Sequence, residues 1–253
     1  MFSLSHLSVI RSAEIEAIAS FLERDARILE IGAGTGEQAL TLQRWGFDVT
    51  AIEITDSNYA KNRVFPVIDY DGAHFPLPDA SVDVVFSSNV LEHVRDLPQI
   101  YSEIRRVLKP GGYCVHVMPT TAWRVWTTLS SYPDAFVCLF AAIPRIVPRS
   151  LPNRDELQRL AAEWYRAIRS VGGRLFVRRH GERGNAISEI WLFNKRWWLR
   201  NFRENGFSIL HEQPMGLFYT GNMLLGAYLN IEARKRLARR LGSACHLFRI
   251  APH

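Results

Sequence analysis

The segment from Arg27 to Gly36, with the sequence RILEIGAGTG, decides the fold. Its first five residues form a short, mostly apolar run that predicts a buried strand, and the glycines that follow predict a tight turn. A helix is expected directly after the turn, from Glu37 to Trp45, and Gly46 is placed to end it. A second strand from Phe47 to Ile54 completes a β-α-β unit, whose short connections are typical of parallel strands with a right-handed crossover.

The turn and the end of the second strand together favour a nucleotide-like ligand. Glycines after a strand let a ligand approach the main chain closely, and Glu53 at the strand tip can accept both hydroxyls of a ribose. Glu30 precedes the first glycine by two residues, and an acid there disfavours a pyrophosphate and favours a ligand with a positive centre. The G-x-G-x-G spacing differs from the G-x-G-x-x-G of dinucleotide enzymes. A tight turn that binds no ligand is the alternative interpretation.

Further elements are expected on both sides of this unit. Residues 12–23 and 97–108 place apolar side chains at three- and four-residue spacings, so each predicts an amphipathic helix. Residues 66–71, 81–87 and 113–118 each predict a strand that ends at turn-forming or polar residues.

Five motifs occur in order along the first half of the chain. They are EIGAGTG at 30–36, the acid Glu53, DGAHFPLPD at 71–79, SVDVVFSSNVLEHV at 81–94 and RVLKPGG at 106–112. With these motifs, residues 10–118 closely resemble the class I S-adenosylmethionine-dependent methyltransferases, and in particular the type 11-like subgroup that has small-molecule and lipid acceptors.

The resemblance implies an α/β fold with a Rossmann-like seven-stranded sheet. The strand order would be 3-2-1-4-5-7-6, with the last strand antiparallel, helices on both faces and helical insertions over the acceptor side. The late elements would be a helix at 195–205 and strands at 207–213 and 244–250. The expected divisions are a cofactor-binding core at 1–118, an acceptor-side cap at 119–190, and C-terminal core elements at 191–253 with a basic helical insertion at 216–243.

The resemblance also implies that S-adenosylmethionine is the cofactor. The glycines would lie under its methionine part, Glu53 would hold the ribose hydroxyls, and Ile54 would pack on the adenine. Asp71 matches the acid that binds the adenine amino group, and Asn89 would line the methionine and sulfonium side. The full set of expected cofactor-binding residues is Glu30, Gly32, Ala33, Gly34, Gly36, Glu53, Ile54, Asp71, Gly72, Asn89 and Val90.

Two polar clusters are candidates for catalysis. In the segment HGERGN at 180–185, His180 is a candidate base near neutral pH, Glu182 would orient it, and Arg183 would hold an anionic acceptor. A surface hairpin turn is the alternative interpretation of this segment. Glu92 and His93 match the E-H-V turn of the family, and they either contact the substrate or begin a helix that packs on the sheet. No metal-binding set is expected.

The charge of the chain divides sharply between its two halves. Residues 1–118 carry 10 Lys and Arg against 16 Asp and Glu, whereas residues 119–253 carry 21 against 9. The first half is therefore acidic, at −6, and the second is strongly basic, at +12, which indicates an anionic partner on the acceptor side.

Two basic and apolar segments raise the question of a membrane surface. Residues 135–149 combine a nine-residue apolar run with prolines and arginines, and residues 224–240 combine an apolar helix face with five positive charges. The first segment is expected to form a buried helix that lines the pocket, with an element on an anionic membrane surface as the alternative. The second segment predicts either an element on such a surface or a solvated basic helix face. Nucleic acid suits them less well, because no RNA-binding module or dense basic tail accompanies them.

Composition also bears on location. No apolar run approaches the roughly 20 residues of a membrane-spanning helix. The first 30 residues contain acids and lack a signal pattern, and three widely separated cysteines suit a reducing compartment. A cytoplasmic protein is expected, peripheral on the inner face of a membrane if the basic segments bind there. The oligomeric state is left open.

The expected function is O-methylation of a small-molecule, glycan or lipid-linked acceptor that is anionic. Two other classes compete with it, an RNA methyltransferase and a cofactor-binding module without catalysis. Salt-sensitive RNA binding would indicate the first of these, and cofactor binding without turnover would indicate the second.

Overall fold

The computed structural model describes residues 4–147, 153–175, 177–222 and 226–253. The strands are β1 Arg27–Ile31, β2 Asp48–Ile54, β3 Val67–Tyr70, β4 Val82–Ser88, β5 Leu108–Pro119, β6 Phe207–Pro214 and β7 Cys245–Pro252. The helices are α1 Leu4–Ile18, α2 Glu37–Arg44, α3 Leu97–Val107, α4 Thr121–Ile146, α5 Arg154–Leu175, α6 Glu189–Leu192, α7 Lys195–Glu204 and α8 Ile231–Leu241. Short 3-10 turns occur at Ala19–Phe21, Ala60–Asn62, Leu91–His93 and Gly226–Tyr228.

All seven strands form one sheet in the order β3-β2-β1-β4-β5-β7-β6, which confirms the expected topology. The first five strands are parallel, and β7 is antiparallel to both β5 and β6. Because β1, β2 and β4 are parallel neighbours, their carboxyl ends meet at one edge of the sheet. In sheets of this kind ligands bind beyond that edge, so the topology places the site there.

Side chains alternate between the two faces of the sheet, as the pleat requires. Leu29 belongs to a core formed with α3 and α7, whereas its neighbour Ile28 belongs to a core formed with α1 and α2. Helices therefore cover both faces, as expected, and they leave the strand ends free to hold the site.

Two core elements differ from the sequence expectation. Helix α1 spans Leu4–Ile18 and is followed by the 3-10 turn at Ala19–Phe21, so it begins and ends earlier than the expected residues 12–23. Its Glu14 is buried and forms an ion pair with Arg11 at 2.6 Å. Strand β5 begins at Leu108 and not at Tyr113, because a register shift against β4 accommodates the glycine-containing segment between them.

The first insertion contains a helical hairpin, made of α4 and α5 packed against each other. Helix α4 continues through Pro133 and Pro144, so it is much longer than the nine-residue apolar run in residues 135–149. The expectation that this segment lines a pocket is wrong for most of its side chains, since Phe136 and Phe140 are 61% and 66% exposed. Residues 148 and 149, at the end of the segment 135–149, lie outside the described residues.

The second insertion ends in α8, and residues 223–225 within it, which include Leu224 and Leu225, lie outside the described residues. Arg234 is buried in α8 and donates to the carbonyl oxygens of Phe218, Gly226 and Leu229, so this arginine is part of the packing and not of the basic surface. Within the described ranges, no helix is both long enough and apolar enough to cross a bilayer.

Candidate active site

The glycine loop between β1 and α2 is shaped by close approach of neighbouring segments. Gly32 and Gly36 have φ angles of +69° and +80°, which L side chains rarely adopt. A Cβ on Gly32 would lie 2.4 Å from Cγ2 of Val90, and one on Gly36 would lie 2.6 Å from Cβ of Phe65. The backbone N–H groups of Gly32 and Ala33 donate to the carbonyl of Ile52 at 2.9 and 3.1 Å, which fixes the loop to β2.

Glu53, at the tip of β2, faces this loop. Its Oε2 accepts a hydrogen bond from the Gly34 N–H at 2.7 Å, and its Oε1 accepts one from the Ile54 N–H at 2.9 Å. The residue is only 9% exposed, whereas Ile54 beside it is open to solvent. A carboxylate oxygen has two acceptor positions, so each Glu53 oxygen keeps one for a ligand hydroxyl.

Asp71 and Gly72 lie next to Glu53 because β2 and β3 pair in parallel, with Ile54 opposite Tyr70. The Asp71 carboxylate accepts from the N–H groups of Ala73 and His74 at 2.8 and 2.7 Å and pairs with the His74 ring at 3.0 Å. These contacts hold its pKa well below the usual range, so it is an anion at neutral pH. The structure thus brings Glu53, Ile54, Asp71 and Gly72 together, as the sequence analysis expected.

Glu30 is buried beneath the loop at the end of β1. Burial raises its pKa to about 8, against the ordinary value of 4.5, with Glu53 nearby contributing in the same direction. Its Oε2 has no hydrogen-bond partner among the described residues. The carboxyl group is therefore largely protonated at neutral pH, and a positively charged ligand nearby would favour its ionisation.

Asn89 and Val90 follow β4 at the same edge. Asn89 adopts a left-handed φ of +55°, and Val90 packs on Gly32 as described above. With its amide oriented so that the oxygen faces the Arg11 guanidinium, Asn89 accepts hydrogen bonds of 2.6 and 3.1 Å. Sequence reasoning missed Arg11, since a cation on the first helix carries no local sign that it reaches the end of β4.

Glu92 and His93 lie on the 3-10 turn that follows Asn89 and Val90. Glu92 is 1% exposed, and neither of its carboxylate oxygens has a hydrogen-bond partner within the described part of the chain. Burial raises the pKa of Glu92 to about 8, although Arg11 and Arg183 act in the opposite direction. Glu92 is packed inward, as the packing interpretation of this turn expected, whereas His93 is exposed, and contact of the turn with substrate stays a prediction.

The segment 180–185 lies against this turn. The His180 ring is 4.7 Å from the His93 ring and 4.6 Å from the Trp123 ring, between ring centroids. A Cβ on Gly181 would lie 2.6 Å from the Glu92 carbonyl oxygen, so the glycine allows the two segments to touch. His180 is exposed at one side, but its neighbours exclude part of the water around the ring, and this desolvation lowers its pKa. His93 and Arg124 lower the pKa further, so the imidazole is neutral at pH 7.

Two roles expected in this segment are not what the structure shows. The Glu182 carboxylate binds Arg95 at 2.8 and 2.9 Å and Arg179 at 3.2 Å, so it does not orient the His180 ring. Arg183 donates to the carbonyls of Leu91 and Val94 and lies over the rings of Trp197 and Trp198, so it is a packing residue and not a free anion ligand.

A buried ion pair that sequence reasoning missed holds His180 in place. Oε1 of Glu189 accepts from the backbone N–H groups of His180 and Gly181 at 2.6 and 2.7 Å. Oε2 of Glu189 lies 3.2 Å from Nε of Arg124, and both side chains are buried. No sequence signal links these residues, because Arg124 lies on α4 and Glu189 begins α6.

Comparison with known proteins identifies a methyltransferase domain in the first half of the chain. A family model described as a methyltransferase domain matches residues 29–116. The biotin biosynthesis bifunctional protein BioHC of Cellvibrio japonicus is 34% identical over 116 residues, which cover 42% of this chain and 23% of that protein. The malonyl-acyl-carrier-protein O-methyltransferase of Xylella fastidiosa is 33% identical over 94 residues, which cover 34% of this chain and 32% of that protein. The chain thus spans about a quarter to a third of the length of these curated relatives.

The resemblance to solved structures extends over most of the chain. The crystal structure of an S-adenosylmethionine-dependent methyltransferase from Mesorhizobium loti matches with a TM-score of 0.54, covering 94% of this chain and 97% of that chain. At 17% sequence identity this likeness concerns the fold alone. The motifs, the sheet order, the geometry around the glycine loop and the family match agree. Residues 29–116 therefore carry a methyltransferase domain, within a chain that has the fold of the class I S-adenosylmethionine-dependent methyltransferases.

Proposed function

We propose that this protein transfers the methyl group of S-adenosylmethionine to an oxygen atom of a small-molecule, glycan or lipid-linked acceptor with anionic character. The observation that carries the proposal is the Glu53–Gly34 hydrogen bond of 2.7 Å, which holds a ribose-binding carboxylate against the glycine loop. The unbonded oxygen of Glu30 beneath the loop supports a ligand with a positive centre, because a nearby cation favours the charged carboxylate.

When bound, S-adenosylmethionine supplies a methyl group on a positively charged sulfur that is a good leaving group. The chain must then align an acceptor oxygen, exclude water and accommodate the proton of a hydroxyl. The end of β4 suits this task, because Val90 borders the glycine loop and His93 follows within the next turn. Trp123, packed against His180, adds an apolar wall.

An oxygen acceptor is supported by the imidazoles of His93 and His180. Both rings are reachable from the surface, but neighbouring groups exclude part of the water around them, and this desolvation lowers the pKa of each. Both are therefore neutral at pH 7, and each offers a nitrogen to a hydroxyl group. The X. fastidiosa relative, which is named as an O-methyltransferase, supports the same acceptor atom.

An anionic acceptor is supported by the exposed basic face of α8, which carries Lys235, Arg236, Arg239 and Arg240. The carbonyl of Leu241, at the end of α8, accepts from Nε1 of Trp126 at 3.0 Å. The basic face therefore adjoins the first turns of α4, where Trp123 meets His180.

The direct test uses methyl-labelled S-adenosylmethionine with lipid, glycan, small-metabolite and RNA fractions of the source cell. The proposal expects label in one of the first three fractions, and none with the Glu53→Gln variant. Label in RNA alone would indicate the competing class of enzyme. Cofactor binding without transfer to any fraction would indicate a binding module.

The exposed side of the helical hairpin supports an anionic membrane surface as a further partner. On α4, Phe136, Phe140 and Ile143 are exposed, and on α5, Tyr165 and Ile168 are exposed as well. Together with the basic face of α8, these residues form the combination of apolar and cationic groups that favours the interface of an anionic bilayer. We propose on this basis a cytoplasmic protein that binds peripherally to the inner face of a membrane.

Flotation with vesicles tests this partner. The proposal expects recovery with phosphatidylglycerol-containing vesicles at low salt, less recovery with phosphatidylcholine alone, and loss of recovery in a Phe136→Ser/Phe140→Ser variant. An Ile187→Ser variant, which removes an exposed apolar residue outside the hairpin, is the matched control. Protein that stays with the soluble fraction in the presence of anionic vesicles would contradict the proposal, as would its absence from membranes on cell fractionation.

A further inference from the structure

We propose that Glu92, His93 and His180 bind a divalent transition-metal ion of the zinc class. Each side chain offers one ligand atom, and the three atoms lie within 4.8 Å of one another. Glu92 and His93 come from the turn after β4, whereas His180 comes from the segment that follows the helical hairpin, so the site joins the core to the insertion. The sequence analysis expected no metal site, because only two of the ligands are adjacent in the chain.

The state of Glu92 points to a cation. Its side chain is buried, and both of its oxygens lack a hydrogen-bond partner in the described ranges. A buried polar group without a partner is costly, and a bound cation would satisfy the carboxylate directly. Arg11 and Arg183 act on the Glu92 carboxylate electrostatically, but neither donates a hydrogen bond to its oxygens in the described part of the chain.

The two histidines complete the set of metal ligands. Nε2 of His93 lies 3.9 Å from Oε1 of Glu92, and the two imidazole rings are 4.7 Å apart. Ligand atoms that are about 2.1 Å from a shared ion lie roughly 3 to 4 Å from one another. Small side-chain rotations would therefore bring the three ligand atoms to the distances that metal binding requires. Two imidazoles with one carboxylate favour zinc, cobalt, nickel or iron over magnesium or calcium.

The backbone around the site is built to hold His180 there. Glu189 fixes the N–H groups of His180 and Gly181, and Arg124 pairs with Glu189. Gly181 lets its segment approach the Glu92 carbonyl closely. Such outer contacts are what orient metal ligands in proteins.

Two cationic side chains lie near the site and lower its affinity for a metal ion. Arg11 and Arg183 both lie close enough to Glu92 to lower its pKa. Arg11 is paired with Glu14 at 2.6 Å, whereas Arg183 is held by carbonyl groups that leave its charge in place. We therefore expect weaker binding than at a closed site with four protein ligands.

The role of the ion rests on the proposed function, although its binding does not. Three protein ligands leave coordination positions open to water or to an acceptor oxygen. A hydroxyl bound to such an ion loses its proton more readily than a free one. His180 would then be a metal ligand and not the base expected from the sequence.

The test uses untagged, chelator-treated protein, with Co²⁺ as the probe, in the absence of methyl donor. Equilibrium dialysis and the visible absorption of Co²⁺ report the stoichiometry and the ligand set. We expect one Co²⁺ per chain, displaced by Zn²⁺, with affinity reduced about 10-fold to 100-fold or more in Glu92→Gln, His93→Ala and His180→Ala. His211→Ala, which removes an exposed histidine beside Gln213, should bind Co²⁺ as the parent does.

Thermal unfolding of each variant without metal shows whether the variant is folded. Glu92→Gln is expected to fold, because glutamine keeps the shape of the buried side chain. The proposal is overturned if the folded parent binds no Co²⁺, or if all three variants bind it undiminished. A separate titration with S-adenosylmethionine distinguishes this failure from that of the proposed function, because the residues of the glycine loop are intact in every variant.

Discussion

The side chain of Val90 occupies the space in which a Cβ on Gly32 would lie, since Cγ2 of Val90 would be 2.4 Å from that atom. The contact joins the loop after β1 to the segment after β4, which are neighbouring strands in the sheet. The cofactor loop is therefore braced by the segment that leads into Glu92 and His93.

We expect Gly32→Ala to destabilise the fold and to abolish cofactor binding. The φ of +69° and the contact with Val90 both oppose a side chain, and together they lower the free energy of unfolding by about 2 to 5 kcal/mol. Urea unfolding and calorimetric titration with S-adenosylmethionine measure the two effects. Gly46→Ala is the control, because Gly46 has a φ of +94° but no atom within 4 Å, so it reports backbone strain alone.

A double variant isolates the contact itself. If Val90 is the obstacle, Gly32→Ala combined with Val90→Ala costs less than the sum of the two single variants. If the losses in the free energy of unfolding are strictly additive, the contact between Gly32 and Val90 does not matter, and backbone strain accounts for the whole cost of Gly32→Ala.

Breaking the buried Arg124–Glu189 pair should destabilise the protein strongly. In Arg124→Met, Glu189 stays buried without its charge partner, and we expect a loss of about 3 to 5 kcal/mol in the free energy of unfolding. Arg166→Met breaks the exposed pair with Glu163 on α5 and should cost less than about 1 kcal/mol. Equal costs in urea unfolding would show that the buried pair contributes no more than a surface pair.

Glu30 should make the stability depend on pH. The folded protein keeps the Glu30 proton up to a pKa of about 8, whereas the unfolded chain releases it near 4.5. Between these values unfolding releases a proton, so the contribution of Glu30 to stability is complete below the lower value and is lost as the pH rises to the upper one. Glu30→Gln lacks this titration, and the stability of the parent relative to this variant should fall across that window. The free energy of unfolding of both proteins is measured in urea at several pH values. The prediction is contradicted if the difference between the parent and Glu30→Gln does not change with pH.

Much of the fold was predictable from sequence because its signals are local. Each core strand of the first half is a short apolar run bounded by turn residues, and the glycine loop follows β1 directly. The parallel order then brings Glu53 and Asp71 to one edge without any further information. Helix α1 shows the limit of such reasoning, since its buried Glu14 looks like a surface residue until Arg11 is placed beside it.

The acceptor side was less predictable because its contacts join residues far apart in the chain. Glu182 looks like a partner for His180 in sequence but binds Arg95, and Arg234 belongs to a run of charges yet is buried. Local spacing says nothing about such partners. The position of His180 beside Glu92 and His93 was inaccessible for the same reason, although all three residues were candidates.

The most direct test of the central claim is a calorimetric titration of S-adenosylmethionine into the parent protein and two variants. The account predicts one bound molecule per chain, with affinity about 10-fold to 100-fold lower in Glu53→Gln, because hydrogen bonds to a charged acceptor contribute about 1.5 to 3 kcal/mol. Asp48→Asn changes an exposed acid at the other end of β2 and should bind as the parent does. Equal affinity of Glu53→Gln and the parent, or no binding by the folded parent, would contradict the account.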